Sequence, residues 1–243
     1  GGLEFLGGVI FAAAIMMVYL WKNKLPVRRY LDIIAVALMV GLAFGRIGCF
    51  LNGCCFGKPA DVPWAVTFPY GSFAYRSQVQ PDPERNRYEP YMNLPADFFY
   101  SPPDTADVLK PYTSLSESQK QYLRENDKLR SLPVHPTQLY SSVNAAAIAL
   151  ILYLLWRRIE KDGKKWFAKP GYAFSTLFII YGGTRFGIEF LRGDNPYEFD
   201  SLTISQNISV LLFVLGLIQL IVFAKKKPPA EAGRNRQQQD AKK

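Results

Sequence analysis

Histidine is almost missing from this chain. His135 is the single one among 243 residues, and the three cysteines, Cys49, Cys54 and Cys55, crowd into one short stretch. A tetrahedral zinc centre needs four ligands, and the residues around these cysteines do not complete one. No metal site and no cofactor is therefore expected. The thiols themselves admit three readings: small buried apolar side chains, a disulfide from Cys49 to Cys54 or Cys55, or a redox or metal role. Recognition motifs for nucleic acid are absent as well, so the net charge of +9 needs another explanation. The first apolar run has no basic residues ahead of it, which excludes the usual cleaved signal peptide pattern.

Long apolar runs are what the chain has instead. Hydrophobic residues make up 49% while the mean hydropathy is −0.01, so strongly apolar stretches must be offset by a very polar part. The runs are Phe5–Trp21, Tyr30–Phe50, Leu139–Trp156, Tyr172–Phe190 and Ile204–Ala224. Each approaches the roughly 20 residues that a helix needs to cross a bilayer. The expected fold is an all-α polytopic membrane protein with five spanning helices in this chain.

Charge around the runs sets the orientation. "KNKLPVRR" follows the first, "RRIEKDGKK" the third and "KKK" the fifth. Basic flanks stay in the cytoplasm, which puts residue 1 outside and the C-terminus inside, and accounts for most of the net charge without a nucleic-acid partner. Residues 1–57 thus form the first two spans, 58–134 a long extracytoplasmic loop, 135–224 the last three spans and 225–243 a basic cytoplasmic tail. The loop is rich in Pro, Tyr and mixed charge. Within it "SLSESQKQYLREND" predicts a short helix behind a serine cap, and the rest reads as irregular. An outer N-terminus at Gly1 with no inserting segment ahead of it leads us to expect an even number of helices upstream.

Polar residues gather on one side of this arrangement. Arg46 sits about six residues, or about 9 Å at 1.5 Å each, below the outer boundary, and Arg185 lies at comparable depth on the fourth span. An arginine inside a membrane costs roughly 2.5–3.5 kcal/mol on insertion scales, so it is normally paired or functional. Glu189 and Arg192 follow Arg185 at helical spacing and share its face. One glutamate among three arginines leaves positive charge over, and a phosphate suits the planar fork of a guanidinium. Glu4, His135, Gln138, Tyr140, Gln206 and Asn207, at the outer starts of their spans, lie on the same side. Gly53 and Gly57, beyond Asn52, are expected in a turn leaving the second span.

The stretches "GGLEFLGGVI", "GRIGCFLNGCCFGKPADVPWAVTFP", "HPTQLYSS" and "YGGTRFGIEFLRGDN" resemble, in order and spacing, the prolipoprotein diacylglyceryl transferase family. The resemblance covers every span. It implies a bacterial cytoplasmic (inner) membrane enzyme with seven spanning helices at full length, two of them upstream of this sequence. It also implies transfer of the diacylglyceryl group of phosphatidylglycerol to the lipobox cysteine of a preprolipoprotein signal peptide, releasing glycerol 1-phosphate. The alternative is a non-catalytic relative that holds an anionic phospholipid or a lipoprotein precursor.

By the same resemblance Arg46 and Arg185 match the two essential arginines. Asn52, Gly57, His135, Gln138, Tyr140, Glu189, Arg192 and Gln206 stand on motif positions that imply substrate binding, with His135 the candidate base. Three departures stand out. Leu6 occupies the place of the family's motif histidine, Cys49 that of an asparagine after "GRxG", and Cys54 and Cys55 that of a glutamate and an apolar residue. With Leu6 unable to move a proton, the base is open among His135, Tyr140, an upstream residue, or a substrate thiol ionised in the field of the arginines.

Overall fold

Turn chemistry fixes where the helices begin and end. In the computed structural model, which describes residues 2–100, 107–162, 169–197 and 202–225, the chain forms helices α1 (Gly2–Lys22), α2 (Val27–Asn52), α3 (Phe73–Val79), α4 (Glu117–Glu125), α5 (Thr137–Asp162), α6 (Tyr172–Glu189) and α7 (Ile204–Lys225). Pro26 and Pro136 stand immediately before α2 and α5, where a missing N–H costs nothing. At the start of α7, Thr203 Oγ1 accepts from the Gln206 N–H at 3.3 Å while Gln206 Oε1 accepts from the Thr203 N–H at 3.0 Å, a reciprocal cap.

Three of the helices, α2, α5 and α7, are long and apolar enough to cross a membrane. In α1 only Phe11–Lys22 counts as an apolar helix among the residues searched, and α6 carries Arg185 and Glu189 within its 18 residues, which lowers its hydropathy. The spanning helices turn large apolar side chains outward. Val143 is 71% and Leu211 57% exposed, a costly surface in water and a fitting one in hydrocarbon.

Two compact units divide the chain. The first comprises Gly1–Val40, Ala147–Ile180 and Leu212–Lys243. Here the fully buried Asp32 accepts from the backbone N–H groups of Gly171, at 2.6 Å, and Phe174, at 3.0 Å, so a carboxylate from α2 caps the first turn of α6. The side chains of Glu4 and Leu6, and the tail from Lys226 onward, lie outside the described residues.

The second unit, Gly41–Ala146 with Tyr181–Leu211, contains the loop and the polar ends of the helices. The loop is not the irregular stretch that its composition suggests. Tyr75, Val79, Met92, Phe98, Leu109, Leu115 and Leu123 form its own buried core, around α3, α4 and an antiparallel pair β1 (Phe99–Tyr100) and β2 (Val108–Leu109). Helix α4 has the expected serine cap, with Ser116 and Gln119 capping each other. The core was hard to read from sequence because its apolar residues come singly from many short segments rather than at one helical or strand period.

Candidate functional site

The second helix ends in a turn that decides the site's layout. Gly53 takes φ 70, and Cys54 N–H returns to the Cys49 carbonyl at 3.2 Å while Gly53 N–H reaches Phe50 at 3.1 Å, closing a Schellman motif. Cys55 follows at φ 59, a left-handed conformation that costs a non-glycine residue roughly 1–2 kcal/mol. The sequence placed a turn here, and the helix does stop at Asn52.

Residues 56–58 then run as a short extended strand between two other motif segments. On one side Gly57 N–H donates to the His135 carbonyl at 3.1 Å and His135 N–H to Lys58 at 3.1 Å. On the other side Lys58 N–H donates to Leu191 at 2.8 Å and Gly193 N–H to Phe56 at 3.0 Å. Three stretches far apart in sequence are thus stitched together by backbone. The close approach explains Gly57, since a Cβ there would run into the His135 carbonyl and come within 3.0 Å of that of Leu191.

Side chains from the start of α5 complete the join. Thr137 Oγ1 donates to the Cys55 carbonyl at 2.8 Å and Gln138 Nε2 to that of Cys54 at 2.7 Å. Trp64 Nε1–H donates to the Tyr140 hydroxyl at 2.6 Å, and that hydroxyl lies 3.3 Å from His135 Nδ1. With its oxygen accepting from Trp64, Tyr140 has its own proton to give, and Nδ1 is the atom that can receive it. Burial pushes the Cys55 thiol up to about 11, partly offset by Arg192, so at neutral pH it is a thiol and not a ready nucleophile.

The arginines divide into a paired set and an unpaired member. Glu189 Oε2 lies 2.7 Å from Arg185 Nη1 and 3.9 Å from Arg192 Nη1, while Oε1 accepts from Thr203 Oγ1 at 3.0 Å and from Asn195 Nδ2. Arg192 is held bidentately by Asp194 at 2.9 and 2.8 Å. All three of Arg185, Glu189 and Arg192 are buried, a condition charges meet only when paired. Arg46, by contrast, is half-buried and has no hydrogen bond or ion pair among the described residues. It lines a cavity of about 10 Å³ together with Leu42, Ser141, Asn144, Tyr181, Arg185 and Ile188, room for one water at most. Three arginines against Glu189 and Asp194 leave one positive charge over, on Arg46.

Two expected site residues stand apart from this cluster. Asn52 is exposed at the end of α2, and the Gln206 amide is committed to capping α7. Sequence reasoning missed Asp194, Asn195, Thr203 and Ser205, the last receiving Arg185 Nη2 at 3.1 Å. Asp194 and Asn195 were within sight, inside the "RGDN" that closes the fourth motif. The loop grips that same segment. Arg85 Nη2 donates to the Arg192 carbonyl at 2.9 Å, and its guanidinium stacks over Tyr197 at 5.0 Å.

Helices apolar enough to span a bilayer, with arginines and carboxylates gathered at their polar ends, define an α-helical protein of the membrane type. The family model described as prolipoprotein diacylglyceryl transferase matches residues 1–222. The chain belongs to that family. It is 28% identical to the phosphatidylglycerol-prolipoprotein diacylglyceryl transferase of Clostridium tetani, over 89% of this chain and 62% of that protein. To the protein of the same name from Rhodospirillum rubrum it is 27% identical, over 96% of this chain and 64% of the relative. For that of Burkholderia cenocepacia the identity is 29%, over 96% and 67%. The chain thus spans under two thirds of the length of the first two of these relatives.

Proposed function

We propose that this chain carries the catalytic half of a phosphatidylglycerol-prolipoprotein diacylglyceryl transferase of the bacterial inner membrane. The observation that supports this most is Arg46, unpaired and half-buried, facing the same cavity as Arg185. An uncompensated guanidinium beside a paired one attracts the phosphate of phosphatidylglycerol, and the one-water space between them has to widen as the phosphate enters. On this reading all five apolar runs span the bilayer with residue 1 outside and the C-terminus in the cytoplasm, residues 58–134 cover the outer face, and the lipobox thiol of a preprolipoprotein approaches from that side.

The reaction forms a bond from the cysteine sulfur to the phosphate-bearing glycerol carbon of the diacylglyceryl group and breaks that carbon's bond to the phosphate oxygen, so that glycerol 1-phosphate leaves. Arg46 and Arg185 stabilise the charge that gathers on the departing phosphate, where preorganised donors in a dry site act most strongly. The thiol proton passes to the Tyr140 oxygen as Tyr140 gives its own to His135 Nδ1. Glu189 and Asp194 keep Arg185 and Arg192 fixed, and Gln138 and Gly57 hold the strand that joins the three motifs.

The test is rescue of cells depleted of their own transferase, using the full-length gene. Growth and lipidation should return with the unmutated gene and disappear with Arg46→Ala or Arg185→Ala at equal membrane levels. Failure of the unmutated gene at normal levels would defeat the assignment and favour the non-catalytic relative.

A further inference from the structure

The cysteines, scattered among three readings by sequence, come together in space. Cys49 on the last turn of α2 and Cys54 and Cys55 in the turn beyond it bring their three Sγ atoms within 4.8 Å of one another, and all three are free thiols. The Schellman turn causes this. Reversal at Gly53 folds Cys54 back beneath Cys49, whose carbonyl lies 3.7 Å from Cys54 Sγ, and the left-handed backbone of Cys55 brings the third sulfur to the same point.

We propose that Cys49, Cys54 and Cys55 form a binding site for a soft monovalent d¹⁰ cation, with Cu(I) as the ligand. Thiolates select such ions over hard cations. Three metal–sulfur bonds of about 2.3 Å in one plane set the sulfurs about 4 Å apart, so the cluster has under about 1 Å to close. Zinc suits it less. It takes four ligands, and among the described residues no fourth His, Cys, Asp or Glu joins the group.

Two features beyond the thiols support the site. A cavity of about 220 Å³ opens onto Cys54 and Cys55, with the carboxylates of Asp82 and Asp194 in its wall. Asp194 is occupied by Arg192, and Asp82 contacts Arg87 only at 4.0 Å, which leaves Asp82 to draw a cation inward. The ligand-bearing turn is also held in place from outside, by Gln138 and Thr137 on the Cys54 and Cys55 carbonyls. On binding, each ligating thiol releases its proton to solvent and forms one S–Cu bond. The ion enters and remains as Cu(I), so no electron is transferred.

The experiment offers Cu(I) as its bathocuproine disulfonate chelate to the full chain, purified in detergent with its thiols reduced. One equivalent of Cu(I) should leave the chelate, and X-ray absorption at the copper edge should report sulfur as the only near neighbours, three in number. Each of Cys49→Ser, Cys54→Ser and Cys55→Ser should weaken binding by at least about tenfold, the loss that even outer-sphere changes produce at metal sites. Because a variant can fail through misfolding, alkylation of the unmutated protein is counted by mass spectrometry as well. Bound Cu(I) should protect all three cysteines together. No withdrawal of copper, protection of fewer than three, or a disulfide among them under oxygen-free reducing conditions would each overturn the site.

Discussion

Gln138 and Cys54, 84 residues apart, are joined by a 2.7 Å hydrogen bond from the Gln138 amide to the Cys54 carbonyl, with the glutamine fully buried. Gln138→Leu keeps most of the volume and leaves the half-buried Cys54 carbonyl without this donor. The expected cost is about 1–3 kcal/mol. It is read as a lower thermal midpoint of the detergent-purified protein, and Gln138→Met should fall by a similar amount, since it also lacks a donor.

Glu189 is the carboxylate that pairs with buried Arg185, at 2.7 Å, whereas Arg192 keeps Asp194, so removing Glu189 leaves one buried charge short of its partner. Glu189→Gln should destabilise by about 3–5 kcal/mol, the range for a broken buried pair. Membrane levels of the variant should drop accordingly. The double change Glu189→Gln with Arg185→Gln should recover part of the loss, and no recovery would mean the pair is not coupled.

Gly57 has no room for a methyl group. A Cβ there lies 2.6 Å from that of His135 and presses on two carbonyls, so Gly57→Ala must part the strand from its neighbours. Overpacking of this kind costs typically about 1–3 kcal/mol. Faster proteolysis within residues 58–134 in the folded protein is the measurement.

Tyr140→Phe removes the hydroxyl between Trp64 and His135. If the thiol proton travels that way, the transfer rate falls by about 10²–10⁴-fold with little change in the apparent affinity for phosphatidylglycerol. Trp64 also loses its partner, so its fluorescence should change. A variant with altered fluorescence and normal turnover would remove Tyr140 from the proton path.

Alkali should loosen the loop first. Burial pushes Tyr70 up to about 12 and raises Tyr75 further, and their hydroxyls donate to the Lys110 and Lys128 carbonyls. Both groups are acids whose folded pKa lies above the ordinary 10, so the unfolded chain releases these protons first and stability falls as pH rises from 10 to 12. Below pH 10 the contribution is complete. Tyr70→Phe should flatten the alkaline fall in the loop's denaturation midpoint.

The three long apolar helices α2, α5 and α7 were legible because apolar length is a local signal, and the shared face of Arg185, Glu189 and Arg192 because helical spacing is one. The uncompensated charge was legible too, but its owner was not. Sequence left Arg185 sharing one glutamate with two other arginines, whereas Asp194 takes Arg192 and leaves Arg46 as the free member. Non-local contacts hide this kind of answer. The same holds for the strand at Gly57, whose hydrogen bonds reach to His135 and Leu191, and for the loop core, assembled from single apolar residues without a period. Gln206, a polar residue at a span start, has a structural partner that the sequence did not reveal, since its amide completes a Thr203 cap.

Asp32 sets a timetable for the growing chain. The first amides of α6, which donate to its carboxylate, are synthesised 139 residues after it, and at about 5–20 residues per second that is a wait of roughly 7 to 28 seconds. During that interval α2 carries a carboxylate with neither cap nor partner from the helix it will meet. The Asp32 cap therefore cannot form as the early helices emerge, and α6 is the arrival that lets it do so.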